Sequence, residues 1–284
     1  MIKNKQNNAK TVAVINDMSS FGKCSLTAAL PIFAACNTRC CPLPTALLSA
    51  QTGFSDYFMQ DTSYVWEDYI KSWQKMGVKF DGILSGFLTG AEQAKKVYDF
   101  LHTFKKENTL IVVDPVLGDK GKRYVVTTDT LIEEMRRLIS VADIITPNLT
   151  EFCLLSGMDY QTLCQKQEEK DFFDFLHKAC DTLFKMGCKN IVISGIKQNN
   201  SIFNFVDDAN KYFITKSSYF GVNISGAGDI LASIITAKIV QGISLKNAVK
   251  KADKFLTRAI SLTAKREFDA NYGMDFEKYL CKLK

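Results

Sequence analysis

Short apolar runs alternate along this chain with longer stretches in which apolar residues return every three or four positions. Thr11 to Ile15, Ile111 to Val113, Asp143 to Ile145 and Ile191 to Ile193 read as strands. Between and after them, Ala91 to Phe104, Thr130 to Ile139, Asp171 to Met186 and Ala227 to Val240 carry the period of helices with one face against a core. This rhythm predicts a doubly wound α/β fold, a mostly parallel sheet flanked by helices on both faces. Phe203, Phe205, Tyr212 and Phe213 predict a small antiparallel β element, two strands joined by a turn at Asp207 to Asn210. Phe172, Phe173, Phe175, Leu183 and Phe184 fall on a helix face and read as core packing, and Asp253 to Lys284 reads as amphipathic helix packing without identifiable chemistry. With no linker, repeat or clear boundary, residues 1–284 are expected to form one domain.

Composition narrows the classes. Hydrophobic residues make up 46% and charged residues 23%, ordinary for a folded globular chain. The net charge of +6 comes from basic residues scattered in ones and twos, which argues against nucleic acid as a partner, since that needs a concentrated basic stripe. The nine cysteines form no CxxC pair and no zinc-type spacing with histidine, and Cys40 and Cys41 are adjacent, so reduced thiols in a cytoplasmic protein are expected. No apolar run approaches the ~20 residues that span a bilayer, and Met1 to Lys10 is polar, so no membrane association is expected.

Three segments carry candidate chemistry. Ser225-Gly226-Ala227-Gly228-Asp229 is a glycine-rich turn running into an apolar helix, and such a turn presents bare N–H groups at the positive end of the helix dipole, suited to phosphate. Asp229 reads either as a first-turn acid favoured by that dipole or as the base that takes a proton from a substrate hydroxyl in phosphoryl transfer. In Ile111-Val-Val-Asp114-Pro115-Val-Leu-Gly118-Asp119, a strand ends in two acids that are either turn formers or a seat for magnesium and its waters. In Asp143-Ile-Ile-Thr146-Pro147-Asn148-Leu-Thr-Glu151, Thr146 or Asn148 can cap a helix and Glu151 can occupy its acidic first turn. Three strand ends that converge on acids, amides and a phosphate-type loop favour a metal and nucleotide site. Gly22-Lys23-Cys24-Ser25 lacks the earlier glycine of a P-loop and has cysteine after the lysine, so Lys23 reads as surface or structural.

Asp-Pro-Val-Leu-Gly-Asp, Thr-Pro-Asn-x-x-Glu and Gly-x-Gly-Asp, in this order and spacing, resemble the ribokinase-like superfamily, and the first two point to its pyridoxal kinase branch. The resemblance runs from about Val12 to about Gly242, and takes in Val14 to Ser25, Pro44 to Gly53 and Leu84 to Phe87, which look like substrate-side segments. It implies Asp229 as the base and Gly226, Ala227 and Gly228 as an anion hole. It puts Asp114, Asp119 and Glu151 on the metal and phosphate side, with Asp119 and Glu151 holding magnesium. Thr146, Asn148 and Ser194 are implied near the nucleotide phosphates or a potassium ion, and Asp17, Thr45, Ser49, Phe87 and Tyr124 on the substrate side. Many relatives carry Ser at the position of Asp17, Tyr at that of Phe87 and Thr at that of Ala227. An anion hole made of backbone amides does not need the threonine.

The activity so implied is transfer of the γ-phosphoryl group of ATP, with magnesium, to the 5′-hydroxymethyl group of pyridoxal, pyridoxamine or pyridoxine, by a homodimer. A hydroxymethylpyrimidine kinase shares fold and substrate type, though such enzymes often have Cys at the position of Asp229. A reading from another class, a vitamer sensor without catalysis, leaves the base at Asp229 without a purpose.

Overall fold

The structure, a computed structural model, describes residues 9–266 and 269–284; most of the polar N-terminal stretch, residues 1–8, lies outside the described residues. Its strands are β1 (Thr11–Ser19), β2 (Arg39–Leu48), β3 (Met59–Asp61), β4 (Gly82–Ser85), β5 (Leu110–Val113), β6 (Gly118–Asp119), β7 (Lys122–Arg123), β8 (Ile144–Ile145), β9 (Ile191–Gln198), β10 (Ser201–Asp207) and β11 (Tyr212–Ser218). The helices are α1 (Ser25–Ala35), α2 (Trp66–Lys75), α3 (Ala91–Phe104), α4 (Asp129–Ile139), α5 (Leu149–Ser156), α6 (Tyr160–Lys166), α7 (Phe172–Met186), α8 (Ala227–Val240) and α9 (Leu245–Thr263).

One sheet runs in the order β11-β10-β9-β8-β5-β4-β1-β2-β3, and β6-β7 make a separate two-stranded ribbon. From β9 to β2 every pairing is parallel, and β3, β10 and β11 add antiparallel edges. The predicted hairpin forms in the register Phe205↔Ile214 and Asp207↔Tyr212. Side chains alternate across the sheet: Ala13, Ile15, Ile111, Val113, Ile191 and Ile193 enter one core with α3, α4, α5 and α7. Val12, Val14, Val112 and Val192 enter the other with α1, α8 and α9. Both faces are covered, which is why the parallel strands are apolar throughout. Among the described residues no helix is long and apolar enough to cross a membrane.

One expectation is corrected. The segment Asp253 to Lys284 stays helical only to Thr263, then continues through two short 3-10 turns, Ala270–Tyr272 and Glu277–Leu283. Met274, Phe276 and Leu283 are buried in the second core, so the segment is held by point insertions and not by a continuous apolar stripe. It also reaches the glycine-rich turn before α8, as described below.

Chain direction places that site. β1 lies between β2 and β4, so crossovers leave it on both sides, and ligands of such sheets collect beyond the carboxyl ends of the strands at that point. A register shift between Asn16 and Met18 bends the end of β1 there.

Candidate active site

The glycine-rich turn ends at Gly226, the residue immediately before α8, with φ +82°; a Cβ there would meet Lys23 O at 2.1 Å. Only glycine fits, because the site combines left-handed backbone with contact against a neighbouring main chain. Ala227 and Gly228 open α8, whose first amides have no partner within the helix and face outward as anion donors.

Asp229 follows in the same turn. Its Oδ1 accepts from Asn16 Nδ2 at 2.9 Å, and the backbone amide of Ser25 at the start of α1 also donates to it. Burial, with the charge of Asp17, raises its pKa to about 6 against these hydrogen bonds. It is therefore mostly ionised at neutral pH yet basic enough to take a proton. Asn16, which was not among the residues predicted from sequence, links the substrate-side strands: its Oδ1 accepts from the amides of Asp17 at 3.0 Å and Phe87 at 2.8 Å. A Cβ at Gly86 would meet Asn16 Cγ at 2.6 Å, so a glycine there lets the end of β4 close on β1. No local signal marked Asn16, which sits beside Asp17 at the polar end of β1.

Asp17 is buried, accepts from Ser19 Oγ at 2.7 Å, and has its carboxyl pushed up by burial. Asp114, also buried, accepts from Thr146 Oγ1 at 2.8 Å; burial and the charge of Asp229 raise it to about 7. Glu151 is raised well above its ordinary value by burial and by Asp114. Its oxygens accept from Leu117 N at 3.2 Å and Asn148 N at 2.8 Å, completing a capping box on α5, so the capping role foreseen for Asn148 and Glu151 is present. Asn148 Nδ2 donates to Gly118 O at 2.8 Å and pins the β6-β7 ribbon over the site. Asp119 on that ribbon is exposed, and Tyr124 just beyond it has a phenol raised by burial and by Glu151, Asp119, Asp229 and Asp114 together.

Among the described residues none of Asp17, Asp114, Glu151 and Asp229 is in an ion pair. A row of buried carboxyls without countercharge fits a hard divalent cation. Among the described residues no three His, Cys, Asp or Glu side chains are gathered as a metal-ligand group.

A cavity of about 440 Å³ opens from Asp119, Asn148 and Ser194 past Ala227 and Gly228 to Asp253 and Ile260. Asp17 and Phe87 are joined to Asp229 through Asn16 instead, away from that cavity. Asp229 thus stands between the first turn of α8, which borders this cavity, and the Asn16 network that reaches Asp17 and Phe87. Two other predicted residues are not tied to it by any hydrogen bond. Thr45 is fully buried and its hydroxyl has no partner among the described residues, while Ser49 is exposed and its hydroxyl accepts from Phe58 N at 2.8 Å.

Sequence reasoning also missed the closure from the far end of the chain. Gln51 Nε2 donates to Asn271 O and Oδ1, both at 3.1 Å, and to Ser225 Oγ at 3.4 Å. Ser225 N donates to Ala270 O, and Lys23 pairs with Asp275 and Glu277, which confirms Lys23 as structural. Phe21, Phe54 and Tyr272 cluster beside this junction with centroids 5.2–5.5 Å apart, Tyr272 edge-on to both phenylalanines.

Fold and site together define a ribokinase-like small-molecule kinase. The chain belongs to the phosphomethylpyrimidine kinase family, whose sequence profile matches residues 20–274. A Bacteroides thetaiotaomicron protein assigned to phosphomethylpyrimidine kinase superposes with TM-score 0.92 at 33% identity, over 98% of this chain and 95% of that one. Another crystal form of it, solved with pyridoxal, superposes with TM-score 0.90 at 32% identity, over 97% of this chain and 96% of that one. The pyridoxal kinase of Lactobacillus plantarum is similar at 28% identity and TM-score 0.85, over 96% of each chain. The hydroxymethylpyrimidine/phosphomethylpyrimidine kinase of Aquifex aeolicus is 27% identical over 65% of this chain and 68% of its own length. Both substrate names thus occur among the relatives. A kinase of this family takes ATP as co-substrate, typically with a divalent metal, and phosphorylates a small molecule.

Proposed function

We propose that residues 1–284 form a single kinase domain that transfers the γ-phosphoryl group of ATP to the 5′-hydroxymethyl group of a B6 vitamer. The observation that carries this reading is Asp229 in the first turn after the glycine-rich loop, held by Asn16 and the start of α1, with a cavity past Ala227 and Gly228 on one side and buried Asp17, reached through Asn16, on the other. For the vitamer in particular, the support is likeness to a protein solved with pyridoxal. A buried carboxyl at Asp17 suits the polar edge of a pyridine, its nitrogen above all. Thr45, whose hydroxyl is unpartnered, Ser49 and Phe87 complete this side.

In the reaction Asp229 orients the vitamer hydroxyl and takes its proton as the oxygen attacks the γ-phosphorus; the new O–P bond forms, the bond to the β-phosphate oxygen breaks, and ADP leaves. The amides of Ala227 and Gly228 neutralise charge on the moving phosphoryl group. Magnesium would be held by Asp119 directly and by Asp114 and Glu151 through water, since the oxygens of Glu151 already serve backbone amides, and it would neutralise the phosphates. Asn148 and Ser194 line the cavity, and Thr146, donating to Asp114, would support them at the phosphate end, where potassium would also sit. Tyr124 closes over the row of acids as a flap. We place the protein in the cytoplasm as a homodimer. All nine cysteines are free, which supports a reducing compartment, and sedimentation tests the dimer.

The relatives' names favour a second reading, hydroxymethylpyrimidine as substrate. ATP consumption by the purified protein with magnesium and potassium, compared across pyridoxal, pyridoxamine, pyridoxine, hydroxymethylpyrimidine and ribose, separates the two. Highest kcat/KM on a B6 vitamer supports the proposal, and highest kcat/KM on the pyrimidine overturns its substrate. Vitamer binding without ATP consumption would make the protein a sensor.

A further inference from the structure

The groove beyond the glycine turn is not uniform. Asp253, Leu256, Thr257 and Ile260 stand one helical turn apart on the face of α9 that lines it. Asp253 Oδ1 accepts from Ser217 Oγ at 2.7 Å and from Asn204 Nδ2 at 3.3 Å, which ties α9 to β10 and β11. Asn204 is itself fixed, since its Oδ1 accepts from Gly195 N at 3.3 Å. The Thr215 hydroxyl also stands beside this carboxylate, while the hydrogen bonds from Ser217 and Asn204 both go to Oδ1 and, among the described residues, Asp253 makes no ion pair. A carboxylate without a cation partner therefore lines a groove read as the site of a polyanion. It would repel phosphates, so it belongs at the opposite end from the Ala227-Gly228 amides, where Leu231, Leu256 and Ile260 offer walls for a flat base.

Resting on the reading of this groove as the ATP site, we infer that Asp253 is a specificity-determining residue whose Oδ2 accepts a hydrogen bond from the nucleoside of ATP. With Oδ1 already taken, it offers one acceptor rather than a bidentate pair. That suits a single donor, a ribose hydroxyl or the 6-amino group of adenine.

The test is steady-state kinetics of wild type, Asp253→Asn and Asp253→Ala with ATP, its 2′-deoxy and 3′-deoxy analogues, and purine riboside triphosphate, which lacks the 6-amino group. Asp253→Asn keeps an acceptor for Ser217 and guards against a folding defect. Both variants should raise KM for ATP by roughly tenfold or more, the usual worth of a hydrogen bond to a charged group, with kcat within about twofold. The analogue lacking the partner group should be nearly insensitive to the substitutions, which tells ribose from base. KM for ATP unchanged in both variants overturns the inference, as does an equal penalty with every analogue. ADP titration of wild type by calorimetry separates the two levels, because absence of binding there sinks the groove assignment as well.

Discussion

Asn16→Ala should move the pH dependence of catalysis. Asn16 Nδ2 donates to Asp229 Oδ1 at 2.9 Å and stabilises the ionised form of the base. A hydrogen bond to a charged group is worth about 1.5–3 kcal/mol, and at about 1.4 kcal/mol per pKa unit its loss raises Asp229 by roughly one to two units. Starting from about 6, the ionised fraction at pH 7 falls from about nine-tenths to between about half and one-tenth. The assay is kcat/KM for the phosphoryl acceptor between about pH 5 and 9. The acid limb, along which activity rises as Asp229 loses its proton, should shift upward by that amount, with activity recovered at high pH. Asn16→Asp keeps an acceptor for the Phe87 amide but sets a like charge against Asp229, so its limb should move further. If both variants lose activity equally at every pH with the limb unmoved, Asn16 acts only on the geometry of the β4 end, and the reasoning is refuted.

Other expectations follow from the same geometry. Asp229→Asn should cut kcat by about 10²–10⁴-fold. Because the pKa of Asp229 is raised from 3.8 to about 6, its ionised form costs the fold up to roughly 3 kcal/mol at pH 7 and nothing below about pH 4, so the same variant should melt higher at pH 7; an unchanged or lower melting temperature argues against that burial cost. Gly226→Ala would drive a Cβ into Lys23 O and should lose both activity and thermal stability, measured by turnover and calorimetry, whereas Ala227→Thr should keep turnover near wild type. Glu151→Ala removes the acceptor of the Leu117 and Asn148 amides and should cost about 2 kcal/mol in urea titration, with Glu151→Gln recovering much of it. Lys23→Met breaks only partly exposed ion pairs and should leave kcat intact; a collapse of turnover would revive a phosphate role for this lysine.

The central strands at Thr11, Ile111 and Ile191 were readable as short apolar runs and Ala91–Phe104 by its helical period, whereas α8 is buried all round and was readable from its length and glycine-rich start, and β2, β4, α1 and α2 were not read. Asp229, Asp114 and the Asn148-Glu151 cap were readable because each follows a strand end or opens a helix, where local chemistry is distinctive. Asn16 was not, since its role is defined by partners 71 and 213 residues away, and nothing local distinguishes it from a strand-end amide. The same holds for Gln51 and Asn271, 220 residues apart. Thr45 and Ser49 show the converse: a segment resembling a substrate-side stretch was located, but which of its side chains faces the ligand depends on strand register and on the Phe58 contact.

The junction of Gln51, Ser225 and Asn271 orders events in the cell. During synthesis the sheet from β1 to β11 and the catalytic turn emerge well before residues 269–284, yet the turn is braced by Ala270 and Asn271 and the Lys23 corner by Asp275 and Glu277. A nascent chain therefore has its sheet strands before it has the residues that brace the glycine turn. A ribosome stalled shortly before Asp269 would hold a chain whose strands had all been made and whose glycine turn lacked the contacts of Ala270 and Asn271.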